Sequence, residues 1–277
     1  MAQIIIQDLL ASARSRRQPT DGVTLVAVYG NEKPDQFVQL LSKIEESCKA
    51  EESLAGWIRL YKRAQVHATI VGLEGKRNGN SVVQENYSKR VGGDGPWPPI
   101  NFKALLGYFS SSVSDVQMMV GGLGKESVNP FDHQKPFQRS FDIRSDGLLV
   151  AMGWPRTNGR FTSHLIALRK DLEKFNVVHK YHIQPQAQDN DLFFVIGEVD
   201  ADRWRSASTK ERDHAQKAID ALATECRQIL LENRYTFSLR PKDLYVVKYK
   251  LTSLESVCSA SRVTEIDHNT LLNLYPA

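Results

Sequence analysis

Cysteine is scarce in this chain of 277 residues. Only Cys48, Cys226 and Cys258 occur, an odd number, far apart and never as C-x-x-C. That pattern excludes a disulfide framework and a zinc ribbon, and it fits a reducing, cytoplasmic setting. Long apolar runs are also missing. No stretch approaches the ~20 residues of a membrane-crossing helix, and Ile4-Ile5-Ile6 is short with no basic segment before it, so the chain reads as soluble and unprocessed. Neither sign of charge dominates. With 36 Lys and Arg against 32 Asp and Glu, the formal net charge of +4 suits a phosphate-bearing ligand but lacks the dense basic stripe of a binder of long nucleic acid. The clusters Arg14-Ser15-Arg16-Arg17 and Lys76-Arg77 are short and read as solvated faces. No H-E-x-x-H, EF-hand loop or serine nucleophile elbow is present, so neither metal nor cofactor is expected.

What remains is an ordinary globular composition, 41% hydrophobic, able to build a core without metal or disulfide help. Residues 3–13 carry Ile5, Ile6, Leu9, Leu10 and Ala13 at helical spacing, which predicts an appendage helix within residues 1–20. Val23 to Tyr29 reads as a strand, and Pro34 opens a helix striped by Phe37, Leu40, Leu41, Ile44 and Cys48. A second strand is predicted at 66–73, then a long irregular loop at 74–101, a helix from Phe102 to Phe109, and strands at Val116–Val120 and Phe137–Ile143. The order then repeats: a strand at Leu148–Met152, a helix at 163–175, a strand at Leu192–Val199, a long helix at 209–232 opened by a Ser208/Glu211 capping box, and strands at Tyr235–Leu239 and Leu244–Tyr249.

This repeat predicts an α+β fold of two pseudo-duplicated β-α-β-α-β-β lobes, residues 21–145 and 146–254. Two antiparallel sheets would face a central cleft with helices outside, followed by a tail at 255–277. In Val66-His67-Ala68-Thr69-Ile70, an extended chain puts the His67 imidazole and the Thr69 hydroxyl on one face, and Val66, Ala68 and Ile70 on the other. Such a pair can grip and protonate a phosphate.

The order of elements and the His67-Ala68-Thr69-Ile70 motif together resemble the two-histidine phosphoesterase superfamily, which includes bacterial RNA 2′,3′-cyclic phosphodiesterases. The resemblance spans approximately residues 20–250. It implies a cleft for a nucleotide or RNA terminus carrying a cyclic phosphate, and metal-independent histidine acid–base chemistry. It also implies a second His-x-Thr/Ser on the equivalent strand of the other lobe. Setting Gly197 against Gly72 puts Leu192 and Phe194 where that pair belongs, so the second motif is degenerate.

Opening a cyclic phosphate needs one group to take a proton and another to give one. The nearest candidates to replace the lost group are His179 and His182 in Val178-His179-Lys180-Tyr181-His182-Ile183-Gln184; His182 is expected, because with Gln184 it repeats the i, i+2 spacing, and Gln184, Lys180 and Tyr181 are expected phosphate contacts. His133, His164, His214 and His268 have no motif around them and read as surface residues. Gly121-Gly122-Leu123-Gly124-Lys125 lacks phosphate-loop spacing and reads as a bend. Gly92-Gly93-Asp94-Gly95-Pro96-Trp97 is a surface loop or a flap over the cleft, and Trp154 is either a stacking ring at the cleft mouth or a core aromatic. Two functions stand side by side: a hydrolase using His67 and Thr69 with His182, and a catalytically silent relative that binds RNA, a nucleotide or a protein.

Overall fold

The computed structural model describes residues 8–111, 115–184 and 189–276. Its elements are α1 (Leu9–Arg16), β1 (Gly22–Ala27), α2 (Asp35–Ala50), β2 (Ile58–Leu60), β3 (Ala68–Gly72), β4 (Gly75–Asn78), β5 (Ser81–Gln84), α3 (Glu85–Val91), α4 (Phe102–Ser111), β6 (Val116–Gly121), α5 (Pro136–Arg139), β7 (Phe141–Ile143), β8 (Leu148–Thr157), β9 (Arg160–Phe161), α6 (His164–Asp171), β10 (Leu192–Val199), α7 (Ala201–Ser206), α8 (Thr209–Glu232), β11 (Arg234–Leu239), β12 (Leu244–Tyr249), β13 (Val257–Arg262) and α9 (His268–Leu272). The class is α+β. Strands run antiparallel in the order β11-β6-β8-β10-β3-β1-β12-β13, with β2 added to β10, and β7 and β9 to β8; β4 and β5 form a separate pair. Among the described residues no helix is long and apolar enough to cross a membrane.

The large sheet has a narrow waist. β10 and β3 meet through one residue pair, Phe194 opposite Ala68, while each pairs at length with its outer neighbour. The waist separates two groups of four strands. One group (β3, β1, β12, β13) is drawn from residues 22–72 and 244–262, and the other (β10, β8, β6, β11) from 116–239. The expected division at 145/146 therefore falls inside the second group, because that group is inserted whole into the first.

The bulges mark a local two-fold between the groups. β3 carries an extra residue, Ile70, against β1, and β10 carries an extra residue, Ile196, against β8. Each bulge lies two residues beyond its waist residue, so the strands match as Ala68 to Phe194 and Ile70 to Ile196.

Helices cover the back of the waist. Phe37 of α2 packs its ring 4.6 Å from that of Phe194 and 5.6 Å from that of Phe237. α8 begins at the expected capping box and buries Ala215, Ile219, Leu222, Cys226 and Leu230. At its C-terminal end the chain turns at Gly121 and Gly122, both with positive φ. A Cβ on Gly121 would lie 2.3 Å from the Asn233 carbonyl, and Gly122 N–H donates to Leu230 O at 2.7 Å. The glycines there make a close backbone turn against a helix end.

Several segments differ from expectation. The 74–101 stretch, read as loop, holds the β4–β5 hairpin turning at Gly79, and then α3. Phe137 and Arg139 belong to α5, started by Pro136, so the strand is only Phe141–Ile143. The tail contributes edge strand β13 and helix α9. Ile5 and Ile6 of the expected first helix lie outside the described residues.

Candidate functional site

Burial alternates along β3. Ala68 and Ile70 are sealed in the core, while His67 and Thr69 are half-buried on the other face. Two adjoining cavities open there. The first, of about 220 Å³, is lined by His67, Thr69, Glu74, His179, Lys180 and Tyr249, among others. The second, of about 340 Å³, is lined by Thr69, Arg139, Arg144, His179, Lys180, Tyr181, Asp189, Asp191 and Phe193, among others. Thr69, His179 and Lys180 line both, so the two hollows are parts of one cleft.

His67 Nδ1 lies 2.7 Å from the Gln65 carbonyl. A carbonyl only accepts, so Nδ1 carries the hydrogen, and in the neutral ring Nε2 is left as an acceptor. Burial pushes the imidazole down to about 4, and nearby Lys33 acts in the same direction. The ring is therefore neutral at pH 7. Among the described residues Nε2 has no hydrogen-bond partner and is not a sealed atom.

His179 is almost fully buried yet lines both cavities. The Tyr181 N–H donates to its Nδ1 at 3.4 Å, which leaves the hydrogen of the neutral ring on Nε2. Burial first, then the Arg169 charge, hold its pKa far below the usual histidine range. The cleft thus contains one imidazole set to accept and another set to donate. Lys180 and Tyr181 are exposed beside them, with the Lys180 ammonium 4.7 Å from the Tyr181 ring centre.

His182 stands elsewhere. It is buried behind the wall, lines neither cavity, and accepts at Nε2 from the Asp189 N–H at 3.1 Å. Gln184 is exposed and also lines neither cavity. The short 3-10 turn Lys180–His182 is the reason: it breaks the alternation that an extended chain would need to put His182 and Gln184 on one face with the cleft. His179, the less favoured of the two candidates in that segment, lines the cleft in the place expected of His182. His133, His164, His214 and His268 are exposed. Trp154 is fully buried, and Trp97 donates to Gly92 O at 2.8 Å and lines neither cleft cavity.

On β10 the expected register is off by one. Leu192 and Phe194 are fully buried and face the core, whereas half-buried Phe193 and Val195 share the face of His67 and Thr69. Through the two-fold at Ala68–Phe194, His67 corresponds to Phe193 and Thr69 to Val195. Equating Gly197 with Gly72 fails because the strands match from the Ala68–Phe194 pair, and counting three residues on, past the matching bulges at Ile70 and Ile196, sets Gly197 against Val71. The second position is still apolar. Arg144 stacks over the Phe193 ring at 5.3 Å.

Sequence reading also missed the charged wall. Arg169, only 2% exposed, donates to the carbonyls of Ile70, Asp189, Thr69 and Asp191 at 2.9 to 3.3 Å, strapping the ends of β3 and β10 together. Arg139 is taken up by Asp132 and, at 2.6 Å, by Asp191. Burial and the Asp189 charge push the Asp191 carboxyl up to about 7 despite that arginine. In the smaller cavity Tyr249 O–H donates to Glu74 at 2.7 Å, and burial raises the Glu74 carboxyl as well. With the other cations paired, Lys180 is the lining cation that has no ion pair among the described residues. These positions follow no local motif; only the scarcity of charge in apolar surroundings around Arg169 and Asp191 could have flagged them.

The chain matches no family model and no curated protein. Partial similarity exists to solved structures. A conserved protein of unknown function from Agrobacterium tumefaciens is 12% identical, with 84% of this chain and 82% of that one covered at a TM-score of 0.43. Usb1 of Kluyveromyces marxianus is 12% identical, with 87% and 96% covered at 0.42, and its structure with uridine monophosphate is 10% identical, with 86% and 97% covered at 0.36.

Proposed function

We propose that the cleft binds the phosphate end of a nucleotide or RNA, cyclic or terminal, and does so with little or no turnover. The observation that carries this reading is that His67, Thr69, His179 and Lys180 line one hollow while the two-fold partner of His67 is Phe193. The Thr69 hydroxyl, the His179 Nε2–H and the Lys180 ammonium are donors suited to phosphate oxygens, and His67 Nε2 is an acceptor suited to a ribose or phosphate hydroxyl. A second proton-transfer group matched to His67 is missing from β10, and one such group contributes typically ~10²–10⁴-fold. His179 is held neutral and supplies a hydrogen bond rather than an acid at pH 7.

The test is calorimetric titration with a panel of 2′,3′-cyclic and 3′-mononucleotides, alongside a hydrolysis assay, on wild type and His67→Ala. Binding that weakens in the variant, with hydrolysis near background in both, supports the reading. Failure of every phosphate to bind overturns it. Efficient hydrolysis abolished by His67→Ala would establish instead the hydrolase expected from the sequence.

A further inference from the structure

We infer that Lys33 is a positioning residue, a strap that holds His67 in its accepting tautomer from outside the cleft. Lys33 does not line the cleft; it lines a separate cavity of about 550 Å³ beside the exit of β1, together with Asp35, Arg240, Lys242 and Arg262. Its ammonium reaches inward and donates to two backbone carbonyls, those of Val28 and, at 2.7 Å, Val66. Val66 directly precedes His67.

The segment from Val28 to Lys33 is laced to the turn before the motif at more than one point. Gly30 N–H donates to Ala64 O at 3.0 Å, and the Tyr29 ring meets the His67 ring edge-on with centroids 6.4 Å apart. Val28 itself sits at φ +58°, a conformation that a β-branched side chain adopts only when its surroundings impose it. The Lys33 contact to the Val28 carbonyl is one such constraint. The contact to Val66 is the other end of the same strap; it holds the residue that follows the short turn Arg63–Gln65, whose last carbonyl, Gln65 O, receives the His67 Nδ1–H. Removing the strap frees both carbonyls and leaves the Val66–His67 backbone that follows the turn held only by the turn's own bonds, so the His67 ring can move relative to Gln65 O. The imidazole then loses its fixed placement against the acceptor that decides which nitrogen bears its hydrogen.

Lysine suits this place by reach and donor count. Two acceptors need two N–H groups on one flexible stem, which both the ammonium and the neutral amine supply, so the strap holds on either side of the Lys33 titration, which burial has brought down to about 7.

The experiment is ¹⁵N-imidazole NMR on the ligand-free protein, comparing wild type with Lys33→Met, Lys33→Gln and Lys33→Arg. In wild type His67 gives the Nδ1–H pattern. In Lys33→Met its ring resonances shift toward the Nε2–H form, while those of His179 and His182 stay in place and unfolding remains cooperative; Lys33→Arg restores the wild-type pattern. Unchanged His67 shifts in Lys33→Met overturn the proposal. If that variant does not fold, Lys33→Gln, whose amide ends one bond short of the carbonyls, is read in the same way with the same two outcomes. A second arm rests on the phosphate reading: affinity for 2′,3′-cyclic adenosine monophosphate falls about tenfold in Lys33→Met, the effect of one lost hydrogen bond. A tautomer shift with unchanged affinity supports the strap and counts against the phosphate reading.

Discussion

Ala68 and Phe194 stand opposite each other at the one residue pair joining β3 to β10, and that pair is the pivot of a local two-fold. It carries His67 onto Phe193 and Thr69 onto Val195; His67, Thr69 and Phe193 line the cleft, and half-buried Val195 packs beside it against the core. The double variant Phe193→His, Val195→Thr should therefore create a second imidazole–hydroxyl pair across from the first. We expect it to hydrolyse a 2′,3′-cyclic nucleotide about 10²-fold faster than wild type, the lower end of what one acid–base group contributes. An assay showing no gain, with the fold intact, would remove the two-fold correspondence from the chemistry.

Ligand binding should depend on the three groups in different ways. His67→Ala and Thr69→Ala each remove one hydrogen bond, so affinity for a 3′-mononucleotide should fall roughly 3–10-fold. Lys180→Ala removes a charge as well and should flatten the salt dependence of binding, since the Lys180 head group is exposed. Titrations at low and high ionic strength separate these cases. Equal losses at every salt concentration in all three variants would contradict the assignment of Lys180.

Acid should weaken the protein through its buried imidazoles. His67 has a folded value of about 4 against 6.5 for the free side chain, so between those values the unfolded chain binds more protons than the folded one. Stability is therefore fully present above pH 6.5 and is lost as pH falls toward 4. His179 and His182 are lowered by burial too, and they act in the same direction. Urea unfolding between pH 4 and 7 should show His67→Gln losing less stability than wild type over that window, by on the order of 2 kcal/mol once partial solvent contact is discounted. Parallel curves for the two proteins would show that His67 is not held neutral by its surroundings.

Arg169 should be the least replaceable side chain near the cleft. Its guanidinium serves four carbonyls and pairs with Asp189 at 3.3 Å while being almost wholly buried. Arg169→Met leaves those acceptors and the Asp189 charge without their partner, an expected loss of about 3–5 kcal/mol. Arg169→Lys should recover little, because three donors on one nitrogen cannot reproduce the planar fork. Chemical denaturation checks both, and a lysine variant as stable as wild type would refute the strap across β3 and β10.

The sequence by itself determined the α+β class, most helices and long strands, and the shared face of His67 and Thr69. These depend on periodicities of 3.6 and 2 and on capping residues, all of which act between neighbours in the chain. It also showed that β10 has no second histidine pair. Tertiary structure alone decided which residues meet the first pair. The Ala68–Phe194 pairing set β10 one position away from the register that Gly72 and Gly197 suggest, so Phe193 lines the cleft and Leu192 and Phe194 lie in the core. The 3-10 turn at Lys180–His182 brought His179 to the cavity and buried His182 behind it. Arg169, Asp191 and Lys33 took their roles from partners tens of residues away, or from backbone carbonyls that any residue could offer. Bulges, short turns and long-range carbonyl partners follow from how strands pair and pack, and no local pattern of side chains encodes them.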